Sequence, residues 1–211
     1  MQAYGKGFAK VYDIKWSDFA KQVAPFILDF YATTPIAQEN KSILDLCCGT
    51  GHLAMHFLEK GYRVVGLDLS DHMLHYAREH ARHYIESGKA TFIQGDASNF
   101  TLDERFGLVV SIYDSLNHLE NEQALRRCFQ CVYAVSDGYF IFGIVRMSVV
   151  KMSFLKLSFP TERTCAVGIL INSIVCFSAD TIKNSPEIFS CVVVFTPFSL
   201  ATQIKSFAIS L

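Results

Sequence analysis

The stretch ILDLCCGTGHLA, residues 43–54, places a glycine-containing turn between a short apolar run and an amphipathic one. The first run reads as a buried strand and the second as a helix. Gly49 and Gly51 let main chain approach a ligand closely, and the helix that opens after Gly51 aims free N–H groups at it. A nucleotide-type ligand is expected there. Read as G-x-G-x-x-A (Gly49, Gly51, Ala54), with Asp68 at the end of the next strand, the stretch also passes for a dinucleotide fingerprint. Asp45 argues against that reading. Just ahead of the turn it would repel a pyrophosphate and attract an ammonium beside a sulfonium.

Outward from this stretch, residues 41–145 alternate apolar runs with amphipathic segments, the pattern of a parallel sheet with crossover helices. Strands are expected at SILDLC (42–47), YRVVGLD (62–68), ATFIQ (90–94), GLVVSIY (107–113) and GYFIF (138–142). Helices are expected over 52–60, ended by Gly61; over 71–87, capped by Ser70 and stopped by Gly88; and over 120–135. Upstream, Ser17 is a candidate cap for a helix over 18–31, with Phe19, Val23, Phe26, Ile27 and Phe30 on one face. Gly95 and Asp96 follow the third strand, where a carboxylate can accept from an adenine amino group. Three acidic residues ending successive strands make one binding edge.

The joint occurrence of DLCCGTG, VVGLDLS, FIQGDAS and FGLVVSIYDSLNHL resembles the class I S-adenosylmethionine-dependent methyltransferases. The resemblance implies an α/β, Rossmann-like, mostly parallel sheet with flanking helices, and S-adenosylmethionine as cofactor. It also implies site residues. Asp45, Gly49 and Gly51 would hold the methionine part, Asp68 the ribose, and Asp96 with Ala97 the adenine, against Met73; Ser111, within the fourth strand, is a further cofactor-binding candidate. YDSLNHL is similar to small-molecule methyltransferases, and YGKGFAKVYD resembles their cofactor-covering N-terminal segment, which makes Tyr4 and Tyr12 lid candidates. The chain departs from the family at Cys47, where the pattern D-x-G-x-G-x-G has its first glycine, and at Gly107, often Asp.

Methyl transfer from a sulfonium is an in-line displacement that needs alignment and dryness more than a strong acid. A base helps an amine or hydroxyl acceptor. Tyr113, Asp114 and His118 follow the fourth strand and are the catalytic candidates, His118 first. Asp68→Ala is expected to weaken the cofactor with little effect on folding. No metal site is expected: His72, His75, His80 and His83 read as the solvated side of a helix whose other side carries Met73, Leu74, Ala77, Ala81 and Ile85. Without a carboxylate or cysteine they lack a defined ligand set. Cys128 and Cys131 read as packing residues, and Asp114 with Asn117 lacks the partners of a metal centre.

Composition bounds the rest. The 211 residues are 51% apolar with a formal net charge of -1, which excludes a disordered chain and gives no basic footprint for nucleic acid or anionic lipid. Seven irregularly spaced cysteines, no export signal and no membrane-length apolar stretch point to the cytoplasm. The expected partner is a small-molecule methyl acceptor. The chain divides into residues 1–145, a cofactor-binding domain with an N-terminal helical cap, and residues 146–211, an atypical apolar segment. All seven His, all nine Tyr and the one Trp precede residue 146. The segments 164–178 and 188–195 suit a closing edge hairpin, 146–159 a connecting helix with strand-like alternation. That conflict raises a second reading, a non-catalytic remnant with a loosely packed or foreign tail.

Overall fold

Strand β1 (Ser42–Leu46) runs through the middle of the sheet, and every residue from Ile43 to Leu46 is buried. This is the expected state of a parallel strand covered on both faces. A computed structural model describes residues 5–113, 115–145, 175–177 and 190–195. In chain order the other elements are α1 (Lys6–Lys15), α2 (Ser17–Ala32), α3 (Ile36–Glu39), α4 (His52–Glu59), β2 (Arg63–Asp68), α5 (Asp71–His80), α6 (Arg82–Glu86), β3 (Ala90–Gln94) and β4 (Phe106–Ser111). They are followed by a 3-10 turn (Ser115–His118), α7 (Glu122–Val135), β5 (Ser136–Val145), β6 (Val175–Phe177) and β7 (Ser190–Phe195).

Among the described residues the sheet order is β3-β2-β1-β4-β5-β7-β6. Strands β1 to β5 are parallel, and β7 runs antiparallel to both β5 and β6. Strand order reverses between β1 and β4, so the C-terminal ends of these strands flank a crevice where ligands of such sheets bind. The two strands of the tail lie within the segments read as a closing hairpin, with Phe140 opposite Phe195 and Val145 opposite Ser190. The expected connecting helix over 146–159 and the packing of the tail lie outside the described residues.

Alternation along β1 sends side chains to two cores. Ile43 joins Val23, Ile27, Leu53 and Phe57 under α2 and α4, while Leu44 and Leu46 join Cys128, Val132 and Phe140 under α7. The N-terminal helix differs from its expected form. The side chain of Ser17 makes no cap, since α2 already begins there after Trp16, and the buried stripe is Ala20, Val23, Ala24, Ile27, Leu28 and Tyr31. Phe26, expected inside, is 52% exposed, because the buried stripe is centred on Ala20, Ile27 and Tyr31 and Phe26 lies about 100° round the helix from Ile27. Residues 71–87 form two helices rather than one. The break at Ala81 (φ -95°, ψ 14°) turns α6 away, so Ile85 is exposed. No helix among the described residues is long and apolar enough to cross a membrane.

Gly107 has a structural reason to lack a side chain. A Cβ there would lie 2.0 Å from Tyr31 Oη and 2.8 Å from the Asn40 carbonyl, which are joined by a 2.6 Å hydrogen bond. Any side chain at this position would collide with both groups. Gly107→Ala is therefore expected to destabilise the protein by about 1–3 kcal/mol, the range for overpacking a core, in urea melts; an unchanged midpoint would contradict this packing.

Candidate active site

The turn after β1 is built on left-handed backbone. Cys47, Gly49 and Gly51 have φ of 62°, 56° and 79°, and Gly51 also packs where a Cβ would meet Ala77 Cβ at 2.8 Å. Cys47 thus takes, with a side chain, the conformation for which glycine is suited, at a cost of about 1–2 kcal/mol. Asp68 holds the turn from the next strand: its Oδ2 accepts from Gly49 N at 2.8 Å and its Oδ1 from Ser70 N at 2.9 Å. Burial pushes this carboxyl up, and the hydrogen bonds from Ser70, Gly49 and Leu69 pull it back. Its remaining lone pairs are available to ribose hydroxyls.

Asp45 is the unusual group. It is 2% exposed, and among the described residues its Oδ2 has no hydrogen-bond partner. Burial, reinforced by the charge of Asp68 and opposed by the Ala54 N–H, pushes its pKa up to about 8. It lines a narrow cleft, partly open to solvent, with Tyr12, Trp16, Thr50, His52, Ile112 and Tyr113. An anion would be repelled there, and a cation would take the place of the proton.

Helix α1 and the start of α2 roof this cleft. Tyr12 stacks on Trp16 with ring centroids 5.2 Å apart and lies over Gly49, whose Cβ would meet its ring at 3.5 Å. Tyr113, itself at φ 62°, donates its hydroxyl proton to the Trp16 carbonyl at 2.6 Å and packs on Phe19. Burial raises its pKa further.

The structure gathers Tyr12, Asp45, Gly49, Gly51 and Asp68 at one edge. Met73, buried, and Ala97 flank the end of that edge with Asp96, whose Oδ1 caps the turn at Ser98 N at 2.7 Å. Ser111 is fully buried, its hydroxyl set against the Cys47 thiol. His118 is exposed on the 3-10 turn and does not line the cleft. Tyr113 lines it, but its hydroxyl is committed to Trp16. Asp114 and Tyr4 lie outside the described residues. Trp16, Thr50 and Ile112 were not singled out in the sequence. The spacing of Phe8, Tyr12 and Trp16, one helical row, is the signal that marks Trp16.

Residues 43–136 match a family model described as a methyltransferase domain. The methyltransferase-named protein YqeM of Bacillus subtilis is 34% identical over 142 residues, which are 66% of this chain and 54% of that protein. A Streptomyces venezuelae enzyme, dTDP-3-amino-3,4,6-trideoxy-alpha-D-glucopyranose N,N-dimethyltransferase, is 32% identical over 126 residues, 58% and 49% of the two chains. The crystal structure of an S-adenosylmethionine-dependent methyltransferase from Clostridium acetobutylicum superposes with a TM-score of 0.54 at 28% identity, covering 66% of this chain and 56% of that one. Residues 43–136 are thus a methyltransferase domain, and the chain is similar in sequence and fold to S-adenosylmethionine-dependent methyltransferases. The chain spans about half the length of the curated relatives it matches.

Two expected outcomes follow from the methyltransferase site. Between the ordinary carboxylate pKa of 3.8 and about 8, Asp45 is ionised in the unfolded chain and protonated in the folded one. Its contribution to stability is therefore lost as pH rises through that window. Asp45→Asn, neutral throughout, should gain melting temperature relative to the parent from pH 5 to pH 8; parallel curves would contradict the raised pKa. Asp68→Ala should also lower folding stability, by about 1–3 kcal/mol, because two main-chain N–H groups lose their acceptor. This corrects the expectation that the substitution leaves folding intact, and a denaturant titration checks it.

Proposed function

We propose that this chain binds S-adenosylmethionine across the ends of β1, β2 and β3 and transfers its methyl group to the nitrogen or oxygen of a small-molecule acceptor. The observation that carries the proposal is Asp45 Oδ2, buried without a hydrogen-bond partner among the described residues, in a cleft with an aromatic roof. The ammonium of the cofactor's methionine part satisfies that oxygen, and the turn N–H groups face the carboxylate of the same part. Asp68 takes the ribose hydroxyls, and Asp96 with Ala97 the adenine, beside Met73.

When bound, the cofactor supplies an electrophilic methyl group on a sulfonium. The chain's own contribution is alignment and exclusion of water. Tyr12, Trp16 and Tyr113 cover the cleft, and the Tyr113 hydrogen bond to Trp16 fixes the roof where an acceptor would enter. Tyr113 is a positioning residue here, since its proton is engaged and its pKa is raised. His118, exposed and outside the cleft lining, is not assigned the base. Relatives that are named N,N-dimethyltransferases of dTDP-amino sugars support an uncharged amine on a polar small molecule as acceptor. Among the described residues Cys47, Cys48, Cys128 and Cys131 are free thiols, which supports the cytoplasm as the place of action.

Calorimetric titration of the full chain with S-adenosylmethionine and with NADH tests the cofactor. Binding of the first alone is expected, and Asp68→Ala should weaken it by about 1.5–3 kcal/mol, the scale of charge-assisted hydrogen bonds. NADH binding without S-adenosylmethionine binding would overturn the proposal. A screen with amino-sugar and hydroxylated acceptors then tests transfer: His118→Ala should keep turnover within a few-fold of the parent, and cofactor binding with no transfer to any acceptor would favour a non-catalytic remnant.

A further inference from the structure

At the rim of the cleft, which His52 also lines, three side chains of metal-ligating type from three separate elements converge beside the roof. They are Asp13 of α1, His52 at the start of α4 and His80 at the end of α5, with one ligand atom of each within 4.8 Å of the others. His80 is exposed as a residue, as His72 and His75 are, but its imidazole turns toward α1 and α4: the ring lies tilted against His52 with centroids 4.9 Å apart.

The protons decide what this cluster asks for. His80 Nδ1 lies 3.0 Å from the Thr50 carbonyl, which can only accept, so Nδ1 carries the hydrogen. In neutral His80 the lone pair is then on Nε2, which faces Asp13 Oδ1 at 3.5 Å. That oxygen is itself buried and makes no hydrogen bond among the described residues. Although His52 Nε2 is 2.9 Å from Oδ1, it is equally 2.9 Å from the Asp13 carbonyl, which takes its N–H. With His80 neutral, a nitrogen lone pair and a carboxylate oxygen face one another across 3.5 Å.

We propose that Asp13, His52 and His80 form a zinc-type divalent metal site that clamps α1 to the turn after β1. The ligand set is two imidazoles and a carboxylate, the borderline donors that zinc prefers. Ligands about 2.0–2.1 Å from a tetrahedral ion lie roughly 3.3 Å apart, and the Oδ1 separations of 2.9 and 3.5 Å bracket that spacing. His80 already has the outer hydrogen bond of a metal-bound histidine, Nδ1–H to a backbone carbonyl. On binding, the His52 proton moves from Nε2 to Nδ1, Nε2 turns its lone pair to the ion, and no net proton is released. Water or the Asp13 carbonyl completes the coordination. Because Thr50 belongs to the glycine turn and Tyr12 adjoins Asp13, the ion ties the roof to the floor of the cleft.

The test uses the chelator-stripped full chain and needs no cofactor, so it stands or falls separately from the function proposed above. Zinc and cobalt(II) are titrated into the parent protein, Asp13→Asn and His80→Gln, the last keeping a donor for Thr50. The parent should bind one more equivalent than either variant, or bind it at least about tenfold more tightly, the smallest loss expected when even a supporting partner is removed. Its cobalt spectrum should show a tetrahedral nitrogen–oxygen site without a thiolate band. Zinc should raise the melting temperature of the parent and slow tryptic cleavage after Lys10 and Lys15, and do neither in the variants. Equal stoichiometry and affinity in all three proteins would overturn the proposal, as would a parent cobalt spectrum made only of thiolate bands. Circular dichroism of both variants establishes that a lost site is not a lost fold.

Discussion

The site depends on a carboxylate that the fold buries and leaves half satisfied. Asp45 sits on the central strand, next to β2 and β4, on the face that carries Ile43 into the α2–α4 core. Its Oδ2 is shut off from solvent and makes no hydrogen bond among the described residues, and the Ala54 N–H offsets the burial of the carboxyl only in part. An isolated buried charge is costly, so the group holds a proton until a cation replaces it. The cost falls on the free protein and is removed by the ligand, which makes Asp45 a selector for positive charge at an edge whose turn would otherwise also suit phosphate.

Further strain is concentrated around it. Cys47 and Tyr113, at the ends of β1 and β4, both hold left-handed backbone with full side chains. Such conformations persist where the surroundings over-determine them. Cys47 is held between the buried strand and the Asp68-anchored turn, and Tyr113 by its bond to Trp16 and its packing on Phe19. The same two positions set the floor and one wall of the cleft. Rigidity of the sheet is thereby passed to the roof, which has few apolar anchors of its own: Ala9 is the only buried residue of α1, and Val11 and Ile14 face solvent.

How much of this was legible depends on how local its cause is. The β1–turn–α4 unit, Asp68 and the Ser70 cap follow from neighbours in sequence, and Met73 N does donate to Ser70 Oγ at 3.4 Å. The break at Ala81 was hidden because alanine carries no signal against a helix. Gly107 carried no meaning until Tyr31 and Asn40 were brought beside it by the fold. His80 looked solvated because its partners, Asp13 and His52, come from other elements, and the helical face of one segment cannot show what another segment places against it. His118 was read from proximity to the sheet edge, yet the turn over Ser115–His118 carries it outward.

Counting the protons displaced by ligand tests the account most directly. Calorimetry of S-adenosylhomocysteine binding at pH 7, repeated in buffers of different ionisation enthalpy, gives the protons released per ligand. With the Asp45 carboxyl at about 8 in the free protein, the ammonium of this ligand should expel close to one proton, and 5′-methylthioadenosine, which lacks that ammonium, should expel none. Release that is the same for the two ligands, or absent for both, would contradict the assignment of Asp45 as the buried counter-ion on which the site is built.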